Sequence, residues 1–143
     1  MLSAENRDRI AERIVRGPFG RHIGFSADLV EEDHAVLRLK DAPHVMNAGG
    51  IVHGGATAAL IDTAATVAAW ATDRAVPGTR GTTVGFSLNF LNPGRGGDLI
   101  AEATVIQRGG SLTVLDVIVH DETGRQIAKA QVTYKLGLRK PAS

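Results

Sequence analysis

Between Gly54 and Thr72 the chain carries one formal charge, Asp62, set among alanine, leucine, isoleucine and valine. A carboxylate is almost never fully buried unless it is paired or used, because burial disfavours its charged form. No lysine or arginine lies within two helical turns of Asp62. Thr66 sits one turn further along the same helical face, where its hydroxyl can donate to the carboxylate or to a water beside it. Eight residues before Asp62, the run His53-Gly54-Gly55 opens the same segment. Amides that begin a helix lack intrahelical acceptors and lie at the positive end of its dipole, so they can polarise a carbonyl and stabilise an oxyanion. Glycine at these positions also lets an acyl group approach the backbone. Asn47, six residues before His53, completes the set of polar groups. Each of these two has an ordinary structural reading as well, His53 as a helix cap and Asn47 as a turn residue.

The spacing carries a further consequence. A carboxylate that attacks or activates, and an amide that binds the oxyanion, must both lie about 3 Å from the reacting group. Eight residues of helix span about 12 Å, so one helix cannot supply both groups to one carbonyl. If both act, two antiparallel copies of the helix meet, and the site is shared in a symmetric dimer.

The elements that must position these residues follow from the pattern. Residues 54–72 present apolar side chains all round a helix, which predicts a buried helix. An acid, several threonines and a glycine pair within so short a run argue against a membrane span. A wrapper is needed, and residues 82–91, 98–108, 111–120 and 125–136 supply it, all rich in β-branched and large apolar residues. Gly109-Gly110 marks a tight hairpin, residues 121–124 a turn, and residues 92–97 a longer one. Upstream, residues 23–30 and 35–40 read as a hairpin across the charged stretch Glu31-Glu32-Asp33-His34. A short amphipathic helix over about 3–16 carries Ile10, Ile14 and Val15 on one side and ends at Gly17-Pro18. The layout predicts an α+β fold in which an antiparallel sheet of about five to six strands wraps a long helix.

Composition limits the function classes. The 143 residues, 43% of them hydrophobic, suit one domain over 1–143. With 16 Lys+Arg against 15 Asp+Glu, no basic field exists to hold a nucleic acid or an anionic membrane. Absence of cysteine removes disulfides, thiolate catalysis and Cys-based zinc sites. No metal or redox cofactor is expected. Charges interrupt the apolar residues of the first segment, so no signal-peptide core is present and a cytoplasmic protein is expected.

Asn47, His53-Gly54-Gly55, Asp62 and Thr66, followed by the run Ser-Leu-Asn-Phe-Leu-Asn-Pro over 87–93, resemble the hotdog-fold thioesterases of the phenylacetyl-CoA (PaaI-like) and 4-hydroxybenzoyl-CoA types. The resemblance extends over about residues 15–136. It implies a central helix in an antiparallel sheet, and homodimers, often paired into tetramers, with active sites between subunits. It implies an acyl-CoA substrate with Asp62 as general base or nucleophile, and aspartate rather than glutamate there favours the PaaI-like branch. The partner's Gly54 amide would bind the carbonyl, Asn47 would orient it or the water, His53 would support the loop and Thr66 would assist the water. Gly55 and the segment 82–91, with Asn89, would line the substrate channel, while Arg95, Arg108 and Lys135 are candidates for the coenzyme A phosphates. Hotdog hydratases of enoyl-CoA form one alternative, but they place a histidine five residues after the acid, where this chain has Val67. A non-catalytic acyl-CoA-binding module is the other; the residues before the first strand are too few for a helix-turn-helix. The small side chains of Ala58, Ala59 and Ala65 indicate space for an acyl group without specifying it.

Overall fold

The computed structural model describes residues 1–138. Ser3 opens helix α1 (Ala4–Ile10) by accepting the Asn6 N–H, and the helix runs on as a π turn over Ala11–Val15. Gly17-Pro18 breaks the helix as expected, yet it also starts another. Proline has no N–H to lose at a first helical position, and Pro18 begins α2 (Pro18–Ile23), closed by Gly24 at φ 101. Ile23 belongs to that helix, so the first strand starts later than the expected residue 23.

Strands β1 (Phe25–Glu31) and β2 (His34–Leu39) form the expected hairpin, turned at Asp33 with φ 59. The central helix α3 (Gly54–Trp70) precedes β3 (Gly81–Phe90), β4 (Leu99–Arg108), β5 (Leu112–Asp121) and β6 (Gln126–Leu136). All six strands join one antiparallel sheet in the order β1-β2-β4-β5-β6-β3. This is the hotdog arrangement, with β3 brought from mid-sequence to an edge.

The helix packs chiefly on β2, β4, β5 and β6. Leu60, Ile61, Ala64, Ala65, Val67 and Ala68 are wholly buried there against Leu37, Ala101, Leu115, Val117 and Val132. Truncating one such leucine costs about 2–5 kcal/mol. Its apolar composition predicts a helix buried on every side, and the structure corrects this. Ala58, Ala59, Asp62, Thr63, Thr66 and Trp70 form a half-exposed stripe, because one sheet covers one side of a helix.

The C-terminal end of α3 is tied down by the β1–β2 turn. The Asp33 amide donates to the Ala71 carbonyl at 3.0 Å. Arg108 pairs with Asp33 at 2.6 Å and reaches the Ala68 carbonyl at 3.5 Å, placing a cation at the negative end of the helix dipole. Among the described residues, no helix is long and apolar enough to cross a membrane.

Candidate active site

The N-terminus of α3 uses its amides unequally. His53 is the N-cap; its Nδ1 accepts the Gly55 N–H at 2.8 Å. An imidazole nitrogen that accepts an amide proton carries none of its own, so the ring proton sits on Nε2. The His53 carbonyl accepts both the Ala56 and Thr57 amides, at 2.9 and 3.2 Å. Of the four leading amides only that of Gly54 has no acceptor among the described residues. It lies beside the Phe90 ring, which a Cβ on residue 54 would approach to 3.2 Å.

The loop ahead of the helix is built by its own polar groups. Asn47 Oδ1 accepts the Gly49 and Ile51 amides at 2.9 and 3.2 Å, so its carbonyl oxygen shapes the turn. Val52 and His53 donate to the Gly94 and Val45 carbonyls, each at 2.8 Å, which fastens the loop to the corner after β3. Asn92 secures that corner by donating to the Gln126 carbonyl at 2.8 Å. Asn47, Gly54, Thr57, Phe90 and Asn92 line a cleft of about 350 Å³ at this end of the helix.

Asp62 lies two turns further on, on the half-exposed stripe. The Thr83 hydroxyl donates to Asp62 Oδ1 at 2.6 Å; Oδ2 has no partner among the described residues. Thr66 does not reach the carboxylate. Its hydroxyl donates to the main-chain carbonyl of Asp62 at 2.8 Å, the back-bond that threonine commonly makes inside a helix. Thr83 is a partner of Asp62 that the sequence patterns do not single out. It is brought onto Asp62 where the β3–β6 register slips between Thr83 and Gly85, and such bulges re-aim side chains. Gly85 inside an otherwise regular strand is the signal that marks it.

Beyond Asp62, Thr66, Trp70, Tyr134 and Gly81 line a larger cleft of about 490 Å³. The Trp70 indole donates to the Tyr134 hydroxyl at 2.9 Å. Burial pushes the Tyr134 phenol above its ordinary pKa; the Trp70 bond opposes that shift and the Asp62 charge adds to it. The phenol is therefore protonated at neutral pH.

The other candidates scatter. Gly55 is exposed, with its amide spent on His53, and Asn89 is exposed on β3. Arg95 and Lys135 are exposed at the corner after β3 and on β6. Arg108 is mostly buried in its pair with Asp33. Asn47, His53 and Gly54 thus gather at one end of α3 and Asp62, Thr66 and Thr83 near its middle. Eight helical residues, about 12 Å, separate the free amide from the carboxylate. Among the described residues no cluster of three or more His, Asp or Glu side chains is arranged to hold a metal ion.

Residues 49–128 match the family model described as the thioesterase superfamily. Human acyl-coenzyme A thioesterase 13 is 33% identical over 139 residues, covering 96% of this chain and 89% of its own. The medium/long-chain acyl-CoA thioesterase YigI of Escherichia coli strain K12 is 29% identical over 133 residues, covering 84% and 86%. A thioesterase family protein from Silicibacter pomeroyi shares the fold with a TM-score of 0.85 at 23% identity, over 94% of this chain and 99% of its own.

Proposed function

The chain belongs to the thioesterase superfamily, and from that premise we propose that it hydrolyses acyl-CoA thioesters at a site pairing Asp62 of one subunit with the Gly54 amide of another. The observation that carries this reading is the single unspent amide at the start of α3, with the half-open carboxylate two turns away on the exposed stripe. Two stripes of small residues packed antiparallel set each Asp62 opposite the partner subunit's Gly54, which overcomes the separation along one helix. The exposed edge strand β3, with Val84, Phe86 and Phe90 at 60%, 41% and 56% exposure, supports such pairing, since an open apolar edge is a template for another chain.

In this site Thr83 holds Oδ1 of Asp62 and leaves Oδ2 to take a proton from water. The water oxygen bonds to the thioester carbon, and the carbonyl electrons move to its oxygen, which accepts the Gly54 N–H. Collapse of the tetrahedral adduct re-forms the carbonyl, breaks the C–S bond and expels coenzyme A as thiolate. The thiolate then recovers the proton from Asp62, leaving the free acid and the thiol. His53 acts through the loop by capping Gly55, which leaves Gly54 as the exposed donor. Asn47 builds the turn that delivers them, with its Nδ2 left to meet the substrate carbonyl or water. Asn89 and Arg95, on and just past β3, are placed to meet the pantetheine arm and a phosphate; Arg108, already paired with Asp33, is not. The name of the YigI relative favours acyl-CoA substrates of medium to long chain.

The test is turnover of butanoyl-, octanoyl- and palmitoyl-CoA by the native protein and by Asp62→Asn. Loss of the base should lower kcat by about 10²–10⁴-fold with the protein still folded. Equal turnover by the variant, or no thiol release from any substrate, contradicts the proposal.

A further inference from the structure

The larger cleft beside Asp62 has a chemistry that hydrolysis of a plain alkyl thioester does not require. Its near wall is Thr66, one turn from Asp62, and its far wall is Trp70, two turns or about 12 Å away. Three arginines line it: Arg9, Arg13 and Arg80. Among the described residues no carboxylate lines it. The Arg9 guanidinium donates to the Ala75 carbonyl, which fixes it in place. Arg13 and Arg80 are exposed, and their guanidinium groups have no hydrogen-bond or ion-pair partner among the described residues. Arg13 is carried into the cleft by the π turn that ends the first helix, a distortion that often marks functional positions. On the floor, the Tyr134 hydroxyl accepts from Trp70 and is also hydrogen-bonded to the Thr66 side chain. The cleft therefore combines an apolar wall and a cationic rim, which fits an amphipathic anion.

We propose that this cleft receives the acyl group and that Arg13 and Arg80 select acyl chains ending in a carboxylate, that is, mono-thioesters of dicarboxylic acids. The inference rests on the thioesterase reading above. A carboxylate is one source of anionic oxygen and the phosphates of coenzyme A are another. The cleft begins a single turn from Asp62, so a chain entering it from the thioester would run along the wall that the arginines rim. The pantetheine arm would carry its first phosphate past them.

Suberoyl-CoA and octanoyl-CoA have acyl chains of equal length and differ in the terminal carboxylate. The experiment compares kcat/KM for these two, and for the suberoyl and octanoyl thioesters of N-acetylcysteamine, which lacks phosphates. The native protein should favour the suberoyl thioester by about tenfold or more on both carriers, as one charge-assisted pair allows. Arg13→Ala with Arg80→Ala should bring that ratio close to one; Arg13→Gln with Arg80→Gln is the alternative should the alanine pair misfold. A native ratio near or below one overturns the inference. So does a double variant that loses activity equally on both CoA thioesters and on neither N-acetylcysteamine thioester, which would assign the arginines to phosphate. Hydrolysis of octanoyl-CoA without preference leaves the thioesterase reading standing, whereas hydrolysis of none of the four removes that reading itself.

Discussion

At the scale of single residues the account turns on which polar atoms are spent and which are left. His53 spends its ring on the Gly55 amide and its carbonyl on the next two, and this makes Gly54 the donor. Gly54 is the first residue of α3 and His53 before it has φ −59 and ψ 132, a conformation that proline tolerates in its predecessor. Gly54→Pro should therefore keep the helix and delete the N–H while adding a ring beside Phe90, lowering kcat by about 10²–10³-fold. Gly54→Ala keeps the amide and adds a Cβ against the exposed Phe90 ring, and it should stay within about tenfold of native, about 1.4 kcal/mol. Steady-state kinetics on octanoyl-CoA with circular dichroism as a fold control separates the two. Thr83→Val should lower kcat by about tenfold or more, with Thr83→Ser restoring it, because the bond to Asp62 Oδ1 needs only a hydroxyl. Asp62 and Gly54 are legible in the sequence because a lone acid in an apolar helix and a glycine pair at its start both break a pattern. Thr83 breaks none. Its importance comes from a register slip that brings it to Asp62, and only Gly85 hints at that. Thr66 has the right spacing for the carboxylate, yet the nearby helix carbonyl captures its hydroxyl.

At the scale of elements, α3 is held at both ends by groups distant in sequence. Arg108 on β4 and Asp33 in the β1–β2 turn grip its last carbonyls. Arg108→Ala leaves a half-buried carboxylate and a helix carbonyl without that partner and should cost about 1–3 kcal/mol of stability, read as a lower urea midpoint. A basic residue at the end of a strand looks like a solvated charge or a phosphate ligand in sequence, and only the fold shows what it faces. The first helix is anchored by Asp73, which accepts from the Ser3 amide and hydroxyl and from Asn6 Nδ2. These bonds hold the Asp73 carboxyl below its ordinary pKa, with the Ser3 amide the largest cause. A carboxylate depressed on folding stabilises the folded state above its unfolded pKa, and that contribution disappears as pH falls through the lowered value. Protection factors of the amides in residues 4–10 should accordingly fall on acidification, and Asp73→Asn should lower them already at neutral pH. No change in either case would show that the contact does not anchor the helix. The six strands are legible from β-rich runs and turn residues, and α2 is not, because Gly17-Pro18 reads as a stop although proline also starts helices.

At the scale of the whole molecule, the two halves of the proposed site lie about 12 Å apart along the same rigid helix, so the proposed activity requires a second copy. The apolar composition of α3 announces burial without saying by what. The fold answers for the sheet side and leaves a stripe of alanine, threonine, Asp62 and Trp70 partly exposed. The most direct measurement is complementation between two inactive chains. Asp62→Asn and Gly54→Pro are co-expressed with different tags, and dimers carrying both tags are isolated and assayed on octanoyl-CoA. One site in such a dimer carries both lesions and the other carries neither. A shared site predicts recovery to about half the native turnover per dimer. Mixed dimers as inactive as either parent, or a Gly54→Pro protein with native activity, would contradict it.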